Sequence, residues 1–199
     1  MKQGQSRAVF LDRDGVINPL VYYEDLGIVD SPFNSRQFVL YPGVSKAIAL
    51  IHKIGKKAII ISNQPGMAKG FYSKKSFDSV NDKMRSLLKG GSFLDGVYYC
   101  LHHPEAKVGK YRKTCSCRKP GAGLIMKAAL DHNIALKRSY MIGDGLTDIE
   151  AGKKAGCRTI LIGRKKCDMC KLLLEKRLKP DIISESLLEA VKEIMKEEA

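Results

Sequence analysis

The sequence predicts an α/β protein in which helices cover both faces of a parallel sheet, giving three layers in the order α/β/α, a Rossmann-like arrangement. Short apolar runs of three or four residues alternate with segments that have the spacing of amphipathic helices. These runs are residues 8–11, 58–61, 97–100, 140–142 and 159–162. In addition, 44% of the 199 residues are hydrophobic and no shift in composition divides the chain. We therefore expect one domain, residues 1–199.

Glycine, proline and serine mark where the helices begin and end. A proline-glycine pair at residues 42–43 precedes a helical pattern that Gly55 ends. Ser73 begins a second helix, which the paired glycines at residues 90–91 stop. Further helices are predicted at residues 122–132, 146–155, 169–178 and from 186 onward, with a short strand at 181–183.

Two longer segments show neither the spacing of an amphipathic helix nor a short apolar run typical of a strand. Residues 16–42 contain three prolines and five aromatic side chains, and residues 62–72 contain one proline and two glycines. We expect both to be irregular loops. A loop as long as residues 16–42 beside a reactive centre is usually functional, so it is interpreted as a flap.

Two carboxylates, Asp12 and Asp14, follow the first strand, and Gly15 permits a tight turn behind them. Ligands of open α/β sheets bind at the carboxyl ends of the strands. Two like charges so close together are costly unless a cation lies between them or they share a proton. The pair therefore indicates bound magnesium, a shared proton, or both. Without the motifs that follow, the same pair could equally belong to a solvent-exposed turn.

Three further motifs follow in order. Ser62 ends the second apolar run, Lys119 precedes a proline-glycine pair, and Asp144 follows the run at residues 140–142. With the paired carboxylates these motifs span residues 8–162, and in this order they resemble the haloacid dehalogenase (HAD) superfamily of aspartate-nucleophile phosphohydrolases. The resemblance implies a HAD-like fold, and no insertion is large enough for a separate cap domain.

The resemblance also implies a magnesium-dependent phosphomonoesterase that works through an aspartyl-phosphate. Asp12 would be the nucleophile and Asp14 the general acid and then base, while Ser62 and Lys119 stabilise the phosphoryl oxygens. The expected magnesium ligands are Asp12, Asp14 through its backbone carbonyl, and Asp144. The expected substrate-binding residues are Asn63, Gln64, Arg118 and Lys119.

The sequence leaves the role of Asp148 open. It matches the second acidic position of the superfamily motif, four residues after Asp144. There it would hold a metal-bound water or orient Lys119. Capping of a helix or exposure to solvent are the alternatives.

A second metal site is indicated by Cys100-x-His102 and Cys115-x-Cys117, which offer three thiolates and one imidazole, a closed tetrahedral zinc set. This loop resembles that of the D-glycero-D-manno-heptose 1,7-bisphosphate phosphatases and the related histidinol-phosphate phosphatases. The family pattern favours His102 over His103 as the ligand. Few apolar residues lie between the ligands, so zinc would supply folding energy and hold the loop. The remaining cysteines are interpreted as ordinary ones: Cys157, Cys167 and Cys170.

The first function that the resemblance implies is removal of the 7-phosphate of D-glycero-D-manno-heptose 1,7-bisphosphate. Arg118 lies beside Lys119 and is free to engage a second anionic group. Histidinol-phosphate phosphatase is the nearest alternative, and a polynucleotide 3′-phosphatase is the third.

The formal net charge of +14 at pH 7 is interpreted as a field that steers a small phosphorylated substrate. The charge is spread along the chain and no RNA-binding signature accompanies it, which disfavours nucleic acid as a partner. No apolar run approaches the length of a membrane span, and no hydrophobic segment precedes the first strand. We expect a cytoplasmic monomer.

Overall fold

The computed structural model describes residues 4–163, 175 and 177–198, and its central feature is a six-stranded sheet. The strands of this sheet are β1 (Arg7–Leu11), β4 (Lys56–Asn63), β5 (Gly96–Cys100), β6 (Tyr140–Gly143), β7 (Arg158–Ile162) and β8 (Ile182–Ser184). They lie in the order β5-β4-β1-β6-β7-β8, and every neighbouring pair is parallel. This arrangement confirms the predicted α/β fold class.

Alternate residues of β1 pack on opposite faces of the sheet. Val9 and Leu11 belong to one buried apolar cluster, whereas Ala8 and Phe10 belong to the other. Helices α1 (Val44–Lys53), α3 (Lys74–Leu87) and α6 (Leu187–Glu197) cover the first face, and α4 (Gly123–Asp131) and α5 (Leu146–Ala155) the second. Both faces are therefore buried, as a fully parallel sheet requires.

The helix boundaries follow the sequence signals closely. The Ser73 hydroxyl accepts a hydrogen bond from the Ser76 amide at the start of α3, and Ser186 accepts one from the Glu189 amide at the start of α6. Both are N-caps, which satisfy amides that the first helical turn leaves without partners. The basic helix predicted at residues 169–178 falls largely outside the described residues, as do Cys167 and Cys170.

The flap differs from its prediction as an irregular loop. It contains an antiparallel hairpin of β2 (Val21–Tyr23) and β3 (Ile28–Asp30), joined through Gly27 at a φ of 59°. Strands of three residues are too short for an alternating pattern to be recognised in the sequence. The 62–72 loop likewise contains a one-turn helix, α2 (Gly66–Lys69).

Strand β4 extends beyond its predicted span of residues 58–61 at both ends. At its start the Lys56 side chain is completely buried, with its ammonium 2.5 Å from Glu198 in the last turn of the chain. Because a lysine is normally exposed, the sequence predicted that β4 begins after Lys56, at residue 58. None of the helices that the structure describes is both long and apolar enough to cross a membrane.

Candidate active site and metal centre

Asp12 lies directly after β1, at the carboxyl edge of the sheet. Its amide donates to the carbonyl oxygen of Ile142 in β6, at 2.9 Å, which aligns the ends of the two central strands. Asp144 follows β6 and lies against the Gly15 turn. A Cβ atom at Gly15 would come within 2.0 Å of Asp144 Oδ2, so only glycine permits this approach.

Lys119 lies between two of the carboxylates, with its side chain almost fully buried. Its ammonium is 2.9 Å from Asp12 Oδ1 and 2.5 Å from Asp148 Oδ1, and it donates to the Ile61 carbonyl at 2.9 Å. Burial alone would lower the pKa of Lys119, but Asp12 and Asp148 raise it above its usual value. The site therefore contains a fixed positive charge beside Asp12.

The backbone of Lys119 is fixed by Asn63, at the end of β4. The Asn63 side-chain amide donates to the Lys119 carbonyl and accepts from the Lys119 amide, both at 3.0 Å. The sequence suggested only a substrate-binding role for Asn63. Its side chain positions the lysine, a contact across 56 residues that no local pattern reveals.

Asp148 is 1% exposed, which excludes the alternative of a solvated side chain. Its Oδ2 accepts from the Gly145 amide at 3.0 Å and so caps α5, while Oδ1 contacts Lys119. Burial and the charge of Asp12 raise the pKa of Asp148 to about 6, although Lys119 opposes the shift. Capping and orientation of Lys119 are thus combined in one residue.

Three carboxylates, those of Asp12, Asp144 and Asp148, have oxygen atoms within 4.8 Å of one another. Burial, together with the charges of Asp12 and Asp148, raises the pKa of Asp144 to about 7. Such crowding is costly without a cation, and carboxylate oxygens are the ligands that magnesium prefers. The donor set therefore fits a hard divalent ion.

The Asp14 side chain contacts different residues from those that surround the other three carboxylates. Its carboxylate accepts hydrogen bonds from Arg13, from Asn18 at 2.9 Å and from Gln64. Its side chain is not a member of the three-carboxylate group, and the expected contact of its backbone carbonyl with magnesium stays a prediction. Sequence reasoning missed Arg13, because an arginine between two carboxylates resembles a solvent-exposed charge.

Gln64 and Ser62 are both buried at this edge. The Ser62 hydroxyl accepts from the Gln64 side-chain amide at 3.1 Å, and its own proton remains to be donated. Gln64 has no exposed surface. The side chain of Gln64 contacts Arg13, Asp14 and Ser62, and its expected role in binding substrate stays a prediction.

The predicted zinc ligands meet at one point. The sulfur atoms of Cys100, Cys115 and Cys117 are 3.0–3.6 Å apart, and His102 Nδ1 is 3.4 Å from the Cys117 sulfur. All four ligand atoms lie within 4.8 Å of one another. With a zinc–sulfur distance of about 2.3 Å, a tetrahedral ion fits this spacing and this soft donor set. His103 lies outside the group and accepts from the Glu105 amide instead.

The hairpin of the flap and the cysteine loop, residues 101–118, face each other across a cavity of about 390 Å³. The lining of this cavity includes Asp30, Lys69 and His103. Lys69 also contacts Asp30 at 3.3 Å, which ties the hairpin to α2. Arg118 is half-buried, and its guanidinium donates to the His102 carbonyl at 3.3 Å.

Known proteins are similar to this chain in sequence. The family model described as HAD-hydrolase-like matches residues 116–190. The D-glycero-beta-D-manno-heptose-1,7-bisphosphate 7-phosphatase of Haemophilus ducreyi is 37% identical over 188 residues, covering 93% of this chain and 96% of that protein. The corresponding alpha-heptose phosphatase of Burkholderia mallei is also 37% identical, covering 79% of this chain and 80% of that protein.

A solved structure gives the same relationship. The D,D-heptose 1,7-bisphosphate phosphatase of B. bronchiseptica, crystallised with magnesium and phosphate, superimposes with a TM-score of 0.77 at 26% identity. The alignment covers 96% of this chain and 99% of that one. The chain therefore belongs to the family of D-glycero-D-manno-heptose 1,7-bisphosphate phosphatases within the HAD-like hydrolases.

Proposed function

We propose that this protein is a magnesium-dependent phosphomonoesterase that removes the 7-phosphate of D-glycero-D-manno-heptose 1,7-bisphosphate. The observation that carries the proposal is the buried ammonium of Lys119, 2.9 Å from Asp12 at the carboxyl edge of the sheet. A carboxylate nucleophile needs a fixed positive charge beside it before a phosphate dianion can approach. The names of the relatives support the choice of substrate.

The reaction proceeds in two displacements. Asp12 attacks the phosphorus, the bond from phosphorus to the sugar oxygen breaks, and Asp14 gives its proton to that oxygen. A water molecule then attacks the phosphorus of the aspartyl-phosphate and gives a proton to Asp14, which releases phosphate and restores Asp12. Lys119 and Ser62 donate to the phosphoryl oxygens throughout.

Magnesium, held by Asp12, Asp144 and the Asp14 carbonyl, would neutralise charge on the phosphoryl group. Asp148 contributes by keeping Lys119 in place. Zinc bound by the three cysteines and His102 would be structural, since all four ligand positions are taken by the protein.

The second anionic group of the substrate is assigned to Arg118. Lys119 is committed to Asp12 and Asp148, whereas the Arg118 guanidinium makes one bond, to a backbone carbonyl, among the described residues. A planar fork with five donors suits a phosphate. A bisphosphate should therefore be preferred over a monophosphate. Histidinol phosphate, which carries an amine instead, should be a poorer substrate.

The proposal is tested by measuring kcat/KM for heptose 1,7-bisphosphate, heptose 7-phosphate and histidinol phosphate. We expect the bisphosphate to be best, and Arg118→Ala to narrow its advantage over the monophosphate by about 1–3 kcal/mol, the range for a charge-assisted hydrogen bond. Asp12→Asn, which keeps the shape of the side chain, should remove activity on all three. A higher kcat/KM for histidinol phosphate, or more than a few per cent of activity in Asp12→Asn, would refute the proposal.

A further inference from the structure

Arg13 is 1% exposed, as deeply buried as Asp148, and it lies next to both Asp12 and Asp14 in the chain. Charged groups are rarely buried to this degree unless they are paired. The guanidinium donates from Nη2 to both carboxylate oxygens of Asp14 at 3.1 Å, and from Nε to Oδ1 at 3.3 Å. Arg13 thus holds the carboxylate of its neighbour in a single plane.

Gln64 joins this pair from a different strand. Its carbonyl oxygen accepts from Arg13 Nη2 at 2.7 Å, and its amide nitrogen donates to Asp14 Oδ2. Its backbone amide donates to the Cys100 carbonyl at 2.8 Å, which fixes its position at the end of β4. Arg13, Asp14 and Gln64 therefore form a closed ring of hydrogen bonds, here called the Asp14 clamp.

An aromatic wall supports the clamp. The Arg13 guanidinium lies 5.7 Å from the centre of the Tyr99 ring, and Tyr99 is fixed by a 2.6 Å hydrogen bond to Asn81 and by edge-on contact with Phe77. A guanidinium packed against a ring in this way has few other orientations available. The contacts of Tyr99 with Asn81 and Phe77 thus help to hold the clamp rigid.

We propose that Arg13 is a positioning residue that fixes the carboxyl of Asp14 for proton transfer, with Gln64 completing the clamp. The inference rests on the proposed function, in which Asp14 is the general acid and base. An aspartate has two rotatable bonds, so without the clamp its proton would not be aimed at the leaving oxygen. Misplacement by about 1 Å can reduce a rate by roughly 100-fold.

In the first displacement, the clamp should matter only for a substrate whose leaving oxygen needs a proton. A sugar alkoxide is a poor leaving group and requires protonation, whereas p-nitrophenolate leaves without it. In the first displacement, a defect in positioning Asp14 therefore slows transfer from a sugar phosphate and spares transfer from p-nitrophenyl phosphate. The later attack of water, in which Asp14 is the base, is common to both substrates and does not enter kcat/KM. A general loss of folding or of phosphate binding would affect both substrates equally.

The experiment measures kcat/KM, which reports the first displacement, for heptose 1,7-bisphosphate and for p-nitrophenyl phosphate in Arg13→Gln, Arg13→Lys and Gln64→Met. For Arg13→Gln we expect a loss of about 10–100-fold on the sugar phosphate and of less than about threefold on p-nitrophenyl phosphate. Arg13→Lys should recover part of the loss, since it keeps the charge but not the fork. Gln64→Met keeps the Arg13–Asp14 pair, so we expect a smaller loss, again selective for the sugar phosphate. If the Arg13 variants do not fold, this variant tests the proposal in their place.

The double variant Arg13→Gln/Asp14→Asn shows whether Arg13 acts through Asp14. In the Asp14→Asn background the Arg13 substitution should add no further loss, because the group it positions is gone. Equal losses on both substrates, or additive losses in the double variant, would overturn the inference. The proposed function fails separately, if Asp14→Asn itself affects the two substrates equally.

Discussion

In the proposed function, Asp144 is a carboxylate ligand of magnesium. Its surroundings favour the neutral form, because it is buried and lies beside Asp12 and Asp148. A divalent cation must displace the proton that this environment retains. The raised pKa of Asp144, about 7, therefore makes metal binding dependent on pH close to neutrality.

Magnesium affinity should fall as the pH decreases through 7. Below its pKa Asp144 is protonated, so each pH unit should weaken binding by up to about tenfold, and more steeply once Asp148, with a pKa of about 6, is also protonated. Calorimetric titration of the substrate-free protein between pH 5.5 and 8.5 measures this. Asp131→Asn, an exposed carboxylate on α4, is the matched control and should leave the profile unchanged. A constant affinity between pH 6 and 8 would contradict the assignment of Asp144.

That Asp12, Lys119 and Asp144 come together at this edge of the sheet was predictable, but not how their side chains are held. Asp12, Lys119 and Asp144 each lie next to a strand or helix end that local patterns reveal. The Asn63–Lys119 and Arg13–Gln64 contacts join residues 56 and 51 positions apart. Such pairs depend on which strands become neighbours, and no local pattern in the sequence specifies that.

The cysteine loop, residues 101–118, differs from the other elements in how it is stabilised. Ala106 is its one fully buried apolar residue, while the sheet beside it is almost entirely buried. Its two ends are joined at the Cys/His cluster, where three thiols and an imidazole converge. We therefore predict that a metal bound at this cluster supplies most of the free energy that orders the loop.

Removing zinc should unfold this loop and leave the sheet intact. After treatment with a zinc chelator, we expect fast amide hydrogen exchange over residues 101–118 and unchanged protection in β1, β4 and β6. Cys115→Ser should reproduce the effect, whereas Cys157→Ser, at a buried thiol outside the cluster, should not. Retention of exchange protection in the loop of metal-free protein would show that zinc is not structural.

The hairpin in the flap is an element that the sequence pattern did not predict. Its hairpin is stabilised by side-chain contacts rather than by strand length: Tyr23 stacks on Phe33 at 3.8 Å, and Phe33 stacks on Phe71 at 5.1 Å. The aromatic residues were visible in the sequence, but which of them would stack depends on the position of α2.

Over the whole molecule, the amino edge of the sheet is closed by the last helix. Glu197 accepts from Arg158, and Glu198 contacts Arg7 and the buried ammonium of Lys56. Burial lowers the pKa of Lys56, while Glu198 opposes this. The parallel sheet could be predicted from the alternation of strands with helices, but this closure could not, because a lysine at a strand start indicates an exposed position.

Glu198→Gln should lower the free energy of unfolding by about 1–3 kcal/mol, because it leaves a buried ammonium without its counter-charge. Glu193→Gln, which breaks an exposed pair with Lys196, is the control and should change it by less than about 0.5 kcal/mol. Urea denaturation measures both. In the double variant Lys56→Met/Glu198→Gln the stability should partly return, and phosphatase activity should be unaffected in all three. An equal effect of the two single substitutions would contradict the role of this pair.

The short distance along the chain from Cys117 to Lys119 has a thermodynamic consequence. A metal bound at the cysteine cluster would restrict the segment that carries Lys119, which the proposed function places beside the phosphate, so we expect the two sites to be energetically linked. Linkage is reciprocal: by whatever factor zinc strengthens the binding of a phosphorylated ligand, that ligand strengthens the retention of zinc. Substrate would thereby protect the metal from competing chelators, and scarcity of zinc would appear first as a weaker affinity for substrate.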